Sequence, residues 1–362
     1  MKIKFLYPLL LANITVFTFF SCTTHKTTAN NTYPPTQTQE DGYISIPIYY
    51  GTNRNMISDN KDNLFGGKWT NEIKYGYYKA SIPDGHKLGE LEQAGIIQKI
   101  KGQSYDPTKY FNILENQNLT KEQFLTLLAK SMENENKDQA FIFIHGYNNS
   151  FESSALRTAQ LFYDLKYKGI PIMYSWPSTG KAIGYFKDGN NIEKSSALFQ
   201  TFIQDIAENN PDKKLNLIAH SMGNRLLVET INNLQKTHPN IKFENIIMAA
   251  PDVGRNDFRN NYDDQIIESA HKINLYCSKK DKALNLSKFL NFQRRLGLVD
   301  SKTYVNKPLQ TIDVTNAGKC KDMLSHTCFA QSEQIINDIK ALLNGDEVIR
   351  EQKNSIFYIK YN

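Results

Sequence analysis

Three side chains far apart along the chain, Ser221, Asp281 and His326, are of the types that make a nucleophile, an orienting acid and a proton shuttle. A serine hydroxyl attacks a carbonyl only when a base takes its proton. An imidazole serves as that base when a carboxylate fixes its tautomer and stabilises the imidazolium. Ser221 lies in Ala219-His220-Ser221-Met222-Gly223, directly after the apolar run Leu215–Ala219. A helical pattern follows at once, in which Leu226, Leu227, Thr230 and Ile231 recur. Strand, sharp turn bearing a serine, then helix is the arrangement of a nucleophile elbow, here with Ala219 in place of the usual first glycine.

The partners are sought in the chain order that goes with such an elbow, serine first, acid next, histidine last. Of the seven histidines, only His238, His271 and His326 follow Ser221. His238 stands in a helix-ending turn before Pro239, and His271 precedes a strand, at the wrong end of a sheet. His326 follows the last expected strand, where the base belongs. Asp281, just past the strand Lys272–Cys277, is the expected acid, and Asp252, past the preceding strand, is the alternative. The oxyanion needs two preorganised backbone N–H groups. One belongs to Met222, after the nucleophile, and the other to Tyr147, after the apolar strand Ala140–Ile144, where Gly146 permits close approach. His145 reads as structural, and His220 is expected to point away along the elbow. Arg54 reads as a salt bridge locking the early strands, with a place lining the site mouth as the alternative; Trp176 reads as packing at a strand end rather than a substrate wall, and Arg225 as the partner of a carboxylate. Lys279, Lys280, Lys282, Arg294 and Arg295 form a basic cluster near the expected site mouth.

To position these groups the chain must build a sheet. Tyr43–Tyr50 and Tyr75–Ile82 read as an antiparallel pair of early strands, separated by a glycine-rich loop at Gly66-Gly67. Lys121–Met132 is helical, with Phe124, Leu127 and Leu128 on one face. From Ala140 onward, apolar strands alternate with helices. The strands are Ala140–Ile144, Ile170–Ser175, Leu215–Ala219, Asn245–Ala250, Lys272–Cys277 and Leu309–Val314. The helices are near Phe151–Lys166, capped by Ser150 or Asn149, then Ile192–Asn209, Gly223–Leu234 and Ser332–Leu343. Such repeated units specify an α/β fold, a mostly parallel central sheet with helices on both faces, whose active groups collect at the carboxyl ends of the strands.

A chain of 362 residues with 40% hydrophobic and 22% charged content can bury one large core. Residues 1–22 read as a signal peptide: Lys2 and Lys4, an uncharged run too short to span a bilayer, then Ser21-Cys22. Phe19-Phe20-Ser21-Cys22 resembles a lipobox, with Cys22 as the lipidated residue; a plain cleaved signal or an uncleaved anchor is the alternative. Residues 23–42 read as a flexible tether, 43–350 as one hydrolase-type domain with an insert at about 84–138, and 351–362 as a C-terminal tail. The expected location is a bacterial cell envelope, lipid-anchored, facing the periplasm or the surface. The net charge of +6 falls to about +4 once Lys2 and Lys4 leave, too little and too scattered for nucleic acid. Cys277, Cys320 and Cys328 remain, and Cys320 and Cys328 either pair or stay free. No spacing of His, Cys or Asp suits a metal, and no glycine loop suits a nucleotide, so no cofactor is expected.

The segments YYGTNRN, YYKASIPDGH, FIHGYNNSFESSALRTAQLFYDL, SWPSTG, LIAHSMGNRLL, AAPDV, YCSKKDKAL and DMLSHTCF occur in that order. Over about Ile46–Phe329 they resemble a bacterial family of α/β-hydrolases of unknown function, DUF900-like, whose members are labelled esterase/lipase-superfamily proteins. The chain departs from that pattern at Cys277 and Lys279-Lys280. The resemblance implies the hydrolase fold and a triad of Ser221, Asp281 and His326. It implies no natural substrate. The expected function is a serine hydrolase acting on a small-molecule or lipid ester or thioester. Acyl transfer by the same triad and a non-catalytic, hydrolase-like binding lipoprotein are the alternatives.

Overall fold

A computed structural model describes residues 33–58, 64–94, 106–134, 137–180 and 184–360. The expected leader 1–22, Cys22 included, and residues 23–32 of the expected tether lie outside the described residues. The strands are β1 (Thr38–Glu40), β2 (Tyr43–Met56), β3 (Phe65–Pro83), β4 (Asn112–Leu119), β5 (Gln139–Ile144) and β6 (Ile170–Ser175). They continue as β7 (Lys214–His220), β8 (Phe243–Ala249), β9 (Ala270–Cys277), β10 (Gln310–Asp313), β11 (Arg350–Lys353) and β12 (Ile356–Ile359). The helices are α1 (Lys121–Asn134), α2 (Phe151–Asp164), α3 (Tyr185–Asn209), α4 (Gly223–Thr237), α5 (Arg255–Asn261), α6 (Asp263–Ser269), α7 (Lys282–Leu290) and α8 (Glu333–Asn344).

All twelve strands join one sheet in the order β11-β12-β10-β9-β8-β7-β5-β6-β2-β3-β4, with β1 paired to β2. From β2 through β6, β5, β7, β8, β9 and β10 to β12 every pairing is parallel. The edges are antiparallel. This is an α/β-hydrolase fold. The unbroken apolar run of β5 follows from burial on both sides. Ala140, Ile142 and Ile144 pack into one layer with α1, α3 and α4, while Phe141 and Phe143 pack into the other with α2 and α8. Chain progression reverses between β5 and β7, which opens a crevice at their carboxyl ends.

Two early strands are longer than the sequence predicts. β2 continues through Gly51-Thr52-Asn53-Arg54, and β3 includes Gly66-Gly67, predicted as a loop. These glycines mark close approach rather than a turn. A Cβ on Gly51 would sit 2.4 Å from the Phe202 ring, and one on Gly67 would sit 3.0 Å from the Ser178 carbonyl. α3 starts at Tyr185 instead of near Ile192, because Asp188 in its first turn accepts from Ser178 Oγ and from the Thr179 N–H. Ser150 caps α2, accepting from the Ser153 N–H.

The segment predicted as a C-terminal tail is not a tail. β11 and β12 form a hairpin through Asn354 and Ser355, both at positive φ, and β12 adds to the sheet beside β10. Arg350 fixes it by donating to Asp338 and to the Tyr276 hydroxyl. The turn lacks the glycine that announces such hairpins, so the sequence gives little sign of it.

Candidate active site

β7 delivers Ser221 at the crevice. The turn to α4 is two residues, Ser221 and Met222, and Ser221 takes φ 53° in it, a left-handed conformation that costs energy for a side chain with a Cβ. It is held there because the Ser221 N–H donates to the Ala249 carbonyl at 3.0 Å. Asn224 Nδ2 also clamps the turn, donating to the Ala219 carbonyl at 3.0 Å. Gly223 is demanded by packing. A Cβ there would lie 2.5 Å from the His145 carbonyl and 2.7 Å from the Ile144 carbonyl, so α4 passes closer to β5 than a side chain allows. Ala219 points its methyl into the apolar layer, which is why alanine is accepted there.

Ser221, Asp281 and His326 meet. His326 Nε2 lies 2.7 Å from Ser221 Oγ, and His326 Nδ1 lies 2.7 Å from Asp281 Oδ2. With Nδ1–H given to the carboxylate, Nε2 is the acceptor for the serine hydroxyl. Asp281 holds a second post: it is the N-cap of α7, accepting from the Leu284 N–H at 2.8 Å through Oδ1. The carboxylate is therefore fixed by a helix end and is 1% exposed. Burial draws the His326 pKa down, but the hydrogen bond and charge of Asp281 more than offset this and hold it above the ordinary imidazole value.

The loop that presents His326 is tied down from several sides. Asp322 accepts from the His326 N–H at 2.9 Å and also from the Thr327 N–H. A disulfide joins Cys320 to Cys328 across the loop. The Lys282 N–H donates to the Leu324 carbonyl, so the acid's helix and the histidine's loop are joined directly. His220 does not point away along the elbow. Its Nε2 donates to the His326 carbonyl at 3.1 Å and its ring stacks on Phe329, so it braces the histidine loop from below. Burial and the nearby His326 charge push its pKa well down, so it is neutral. Neighbouring position in the chain did not reveal this contact, because the loop arrives from more than a hundred residues away.

Asp252, the alternative acid, is engaged elsewhere. It pairs with Arg225 at 2.7 Å and accepts from the Tyr185 hydroxyl at 2.9 Å and from Ser287. Arg225 is thus paired with a carboxylate as expected. The end of β5 turns at Gly146, where a Cβ would lie 3.0 Å from both Ser221 Cβ and His220 Nδ1. That closeness sets the backbone of Gly146-Tyr147 beside Ser221. The N–H of Met222, N-cap of α4, is one of the first-turn N–H groups that have no acceptor within the helix.

His145, behind this loop, is structural: 1% exposed, stacked on Trp176, with Nδ1 bonded to the Gly146 carbonyl at 2.8 Å. Burial and the charge of Arg54 push its pKa to about 3, so it too is neutral. Trp176, fully buried, packs the strand end and donates to the His145 carbonyl at 2.7 Å. Arg54 corrects its reading as a salt bridge. Its guanidinium donates to the carbonyls of Ser178 (2.9 Å) and Asn149 (2.8 Å) and to Ser175 Oγ, stitching β2 to the Tyr147 loop. Buried among carbonyls, its pKa falls to about 10.

Ser221 and His326 open into a cavity of about 510 Å³. Phe143, Leu284, Leu286, Leu290, Leu324 and Phe329 give it apolar walls, and Tyr185 and Arg157 contribute polar groups. Apolar walls with a few polar groups converging at one end are what small-molecule pockets commonly show. Arg157 was not singled out in the sequence, since it reads as an ordinary helix-face arginine of α2. Cys320, Asp322 and Cys328 offer three potential metal-ligand atoms within 4.8 Å of one another, but the disulfide leaves neither sulfur as a thiolate.

The model of the family described as alpha/beta hydrolase of unknown function (DUF900) matches residues 120–345. The chain belongs to that family. The match starts at α1 and includes every strand end and loop that builds the site of this DUF900 protein. An uncharacterized protein of Nostoc sp. is 31% identical over 90 residues, a match that spans 24% of this chain and 23% of that relative. Among solved structures, one described as a predicted CIB-like hydrolase from Thermoplasma acidophilum aligns with TM-score 0.34 and 12% identity, covering 75% of this chain and 93% of its own. A lipase-esterase related protein from Clostridium acetobutylicum aligns with TM-score 0.24 and 17% identity, covering 58% and 68%. At such scores these two add nothing to the family match.

Proposed function

We propose that this DUF900 protein is a serine hydrolase that cleaves a carboxylic ester or thioester through an acyl-enzyme. Ser221 attacks the carbonyl, and His326 takes its proton and returns it to the leaving group. Asp281 holds the imidazole tautomer, and the N–H groups of Tyr147 and Met222 receive the oxyanion. The observation that carries this reading is the continuous relay Ser221 Oγ–His326–Asp281, 2.7 Å at each link, at the floor of an apolar cavity. A binding protein with a retired site has no reason to keep a strained serine in register with a paired histidine and acid.

Ser221→Ala is expected to abolish both labelling by a fluorophosphonate probe and turnover of short-chain nitrophenyl esters. Labelling that persists on another residue overturns the assignment. We further propose that the enzyme is held to a bacterial envelope membrane through lipid on Cys22, which rests on the leader and lipobox-like residues alone. No helix among the described residues is long and apolar enough to cross a membrane. Mass spectrometry of the mature N-terminus tests the lipid: an unmodified Cys22, or an N-terminus elsewhere, removes it.

A further inference from the structure

Large apolar side chains normally face inward, and an exposed cluster of them marks a surface with a partner. Among the described residues, six of the twelve exposed large apolar side chains belong to the segments that line the cavity: Leu286 and Leu324 line it themselves, and Phe186, Phe289, Phe292 and Met323 stand within two residues of the lining residues Tyr185, Leu290 and Leu324. They come from three separate segments that the structure ties together. Tyr185, next to Phe186, bonds to Ser287 Oγ and Asn291 Nδ2 of the α7 segment, and Lys282 Nζ reaches the Met323 carbonyl at 3.2 Å. α7 is turned outward in an unusual sense: it buries Leu284 and Ser287 but exposes Leu286 and Phe289. Phe292, one turn on, is 93% exposed, and Met323 across the mouth is 89% exposed.

The segments that carry these side chains are also cationic: Lys187, Lys282 and Lys288 are exposed, as are Lys279 and Lys280 just before α7, where Lys280 Nζ donates to Asn316 Oδ1 at 3.0 Å. The acids within these segments do not answer them: Asp188 and Asp281 are buried, and Asp322 is committed to the N–H groups of the histidine loop. A second copy of the chain is a poor occupant. A twofold contact sets a patch against itself and would press these lysines together. Apolar side chains ringed by lysines match the two layers of an anionic bilayer, acyl chains for the rings and phosphate headgroups for the ammonium groups.

We propose that this rim seats the mouth of the cavity on an anionic lipid bilayer, with Phe289, Phe292 and Met323 entering the headgroup–acyl boundary. The surface stands apart from the esterase reading. What it adds to that reading is the direction from which substrate comes, an ester entering laterally from the membrane.

The test uses the full chain carrying Phe292→Trp, bound to vesicles of phosphatidylcholine alone or mixed with phosphatidylglycerol, with brominated acyl chains as quencher. In the mixed vesicles the introduced indole shifts to the blue and is quenched, and in phosphatidylcholine alone it is quenched far less. Lys279→Glu with Lys288→Glu weakens the quenching response about tenfold or more. An indole that stays unquenched on a chain bound to mixed vesicles overturns the proposal. So does a blue shift that follows protein concentration and ignores lipid, which assigns the face to a second copy. Phe289→Ser with Phe292→Ser gives an independent reading: turnover of a soluble short-chain ester is unchanged, while turnover of an ester embedded in the mixed vesicles falls about tenfold or more. Because quenching needs no catalysis, failure of the membrane face and failure of the esterase reading are told apart.

Discussion

His326 has a pKa held above that of a free imidazole, and the sign of that shift fixes a pH profile. In the proposed mechanism the ring works as a base only when neutral, so activity should rise with pH through its folded-state pKa and be lost below it. The acid limb of kcat/KM is therefore expected above the ordinary imidazole pKa. The Asp281 bond is what raises it, so Asp281→Asn should carry the limb to lower pH and cut kcat by about 10³–10⁴-fold. Asparagine still caps α7, so the fold survives and the loss reports the tautomer. A limb that does not move shows that Asp281 does not hold the proton on His326. The same shift stabilises the folded chain on the acid side. That contribution is complete below the unfolded pKa and is lost as pH rises through the folded one.

At the scale of elements, the site depends on how closely three backbones meet. Gly223→Ala drives a Cβ into the backbone carbonyls of His145 and Ile144 at the end of β5, at 2.5 and 2.7 Å. It should cost about 2 kcal/mol or more in urea denaturation and disturb the elbow, whereas the Ala219 methyl has room. An unchanged midpoint in that variant contradicts the packing described for α4 and β5. The histidine loop is closed by Cys320–Cys328. Changing both to serine removes a constraint on the unfolded chain and should lower stability by about 2–4 kcal/mol, read as a fall in Tm. The parent should lose the same amount on reduction, and a parent insensitive to reductant would show that the bond contributes nothing.

At the scale of the whole sheet, the hairpin of β11 and β12 covers β10 and carries the cation for a buried carboxylate. Arg350 and Asp338 are 4% and 2% exposed at the side chain and lie 2.6 Å apart. Arg350→Ala removes the cation and leaves buried Asp338 the Tyr276 hydroxyl, which should destabilise by about 3–5 kcal/mol in denaturant titration. A loss below about 1 kcal/mol would show that water or another group satisfies Asp338. Truncation before Arg350 should go further, leaving β10 as an open strand edge prone to association.

Strand ends and the serine turn were legible in the sequence because each is local. An apolar run buried on two faces, a small residue after a serine and a helical repeat all leave their mark within about fifteen residues. β5, β6, β7 and the cap of α2 lie where those signals put them. The order serine, acid, histidine was legible too, since a parallel sheet built from sequential units brings successive strand ends to one rim. Contacts between distant segments were not legible. His220 under the histidine loop, Arg54 among carbonyls in place of an ion pair and Asp252 on Arg225 depend on which segments the fold packs together. The glycines of β2 and β3 announced a turn but served close packing, and a hairpin turn without glycine hid two strands. Residue pattern alone determined the parallel middle of the sheet and which side chains had the chemistry for its rim. Only the packed chain decided their distances, their charge states and the apolar, lysine-ringed mouth above them, because burial and proximity belong to the folded chain.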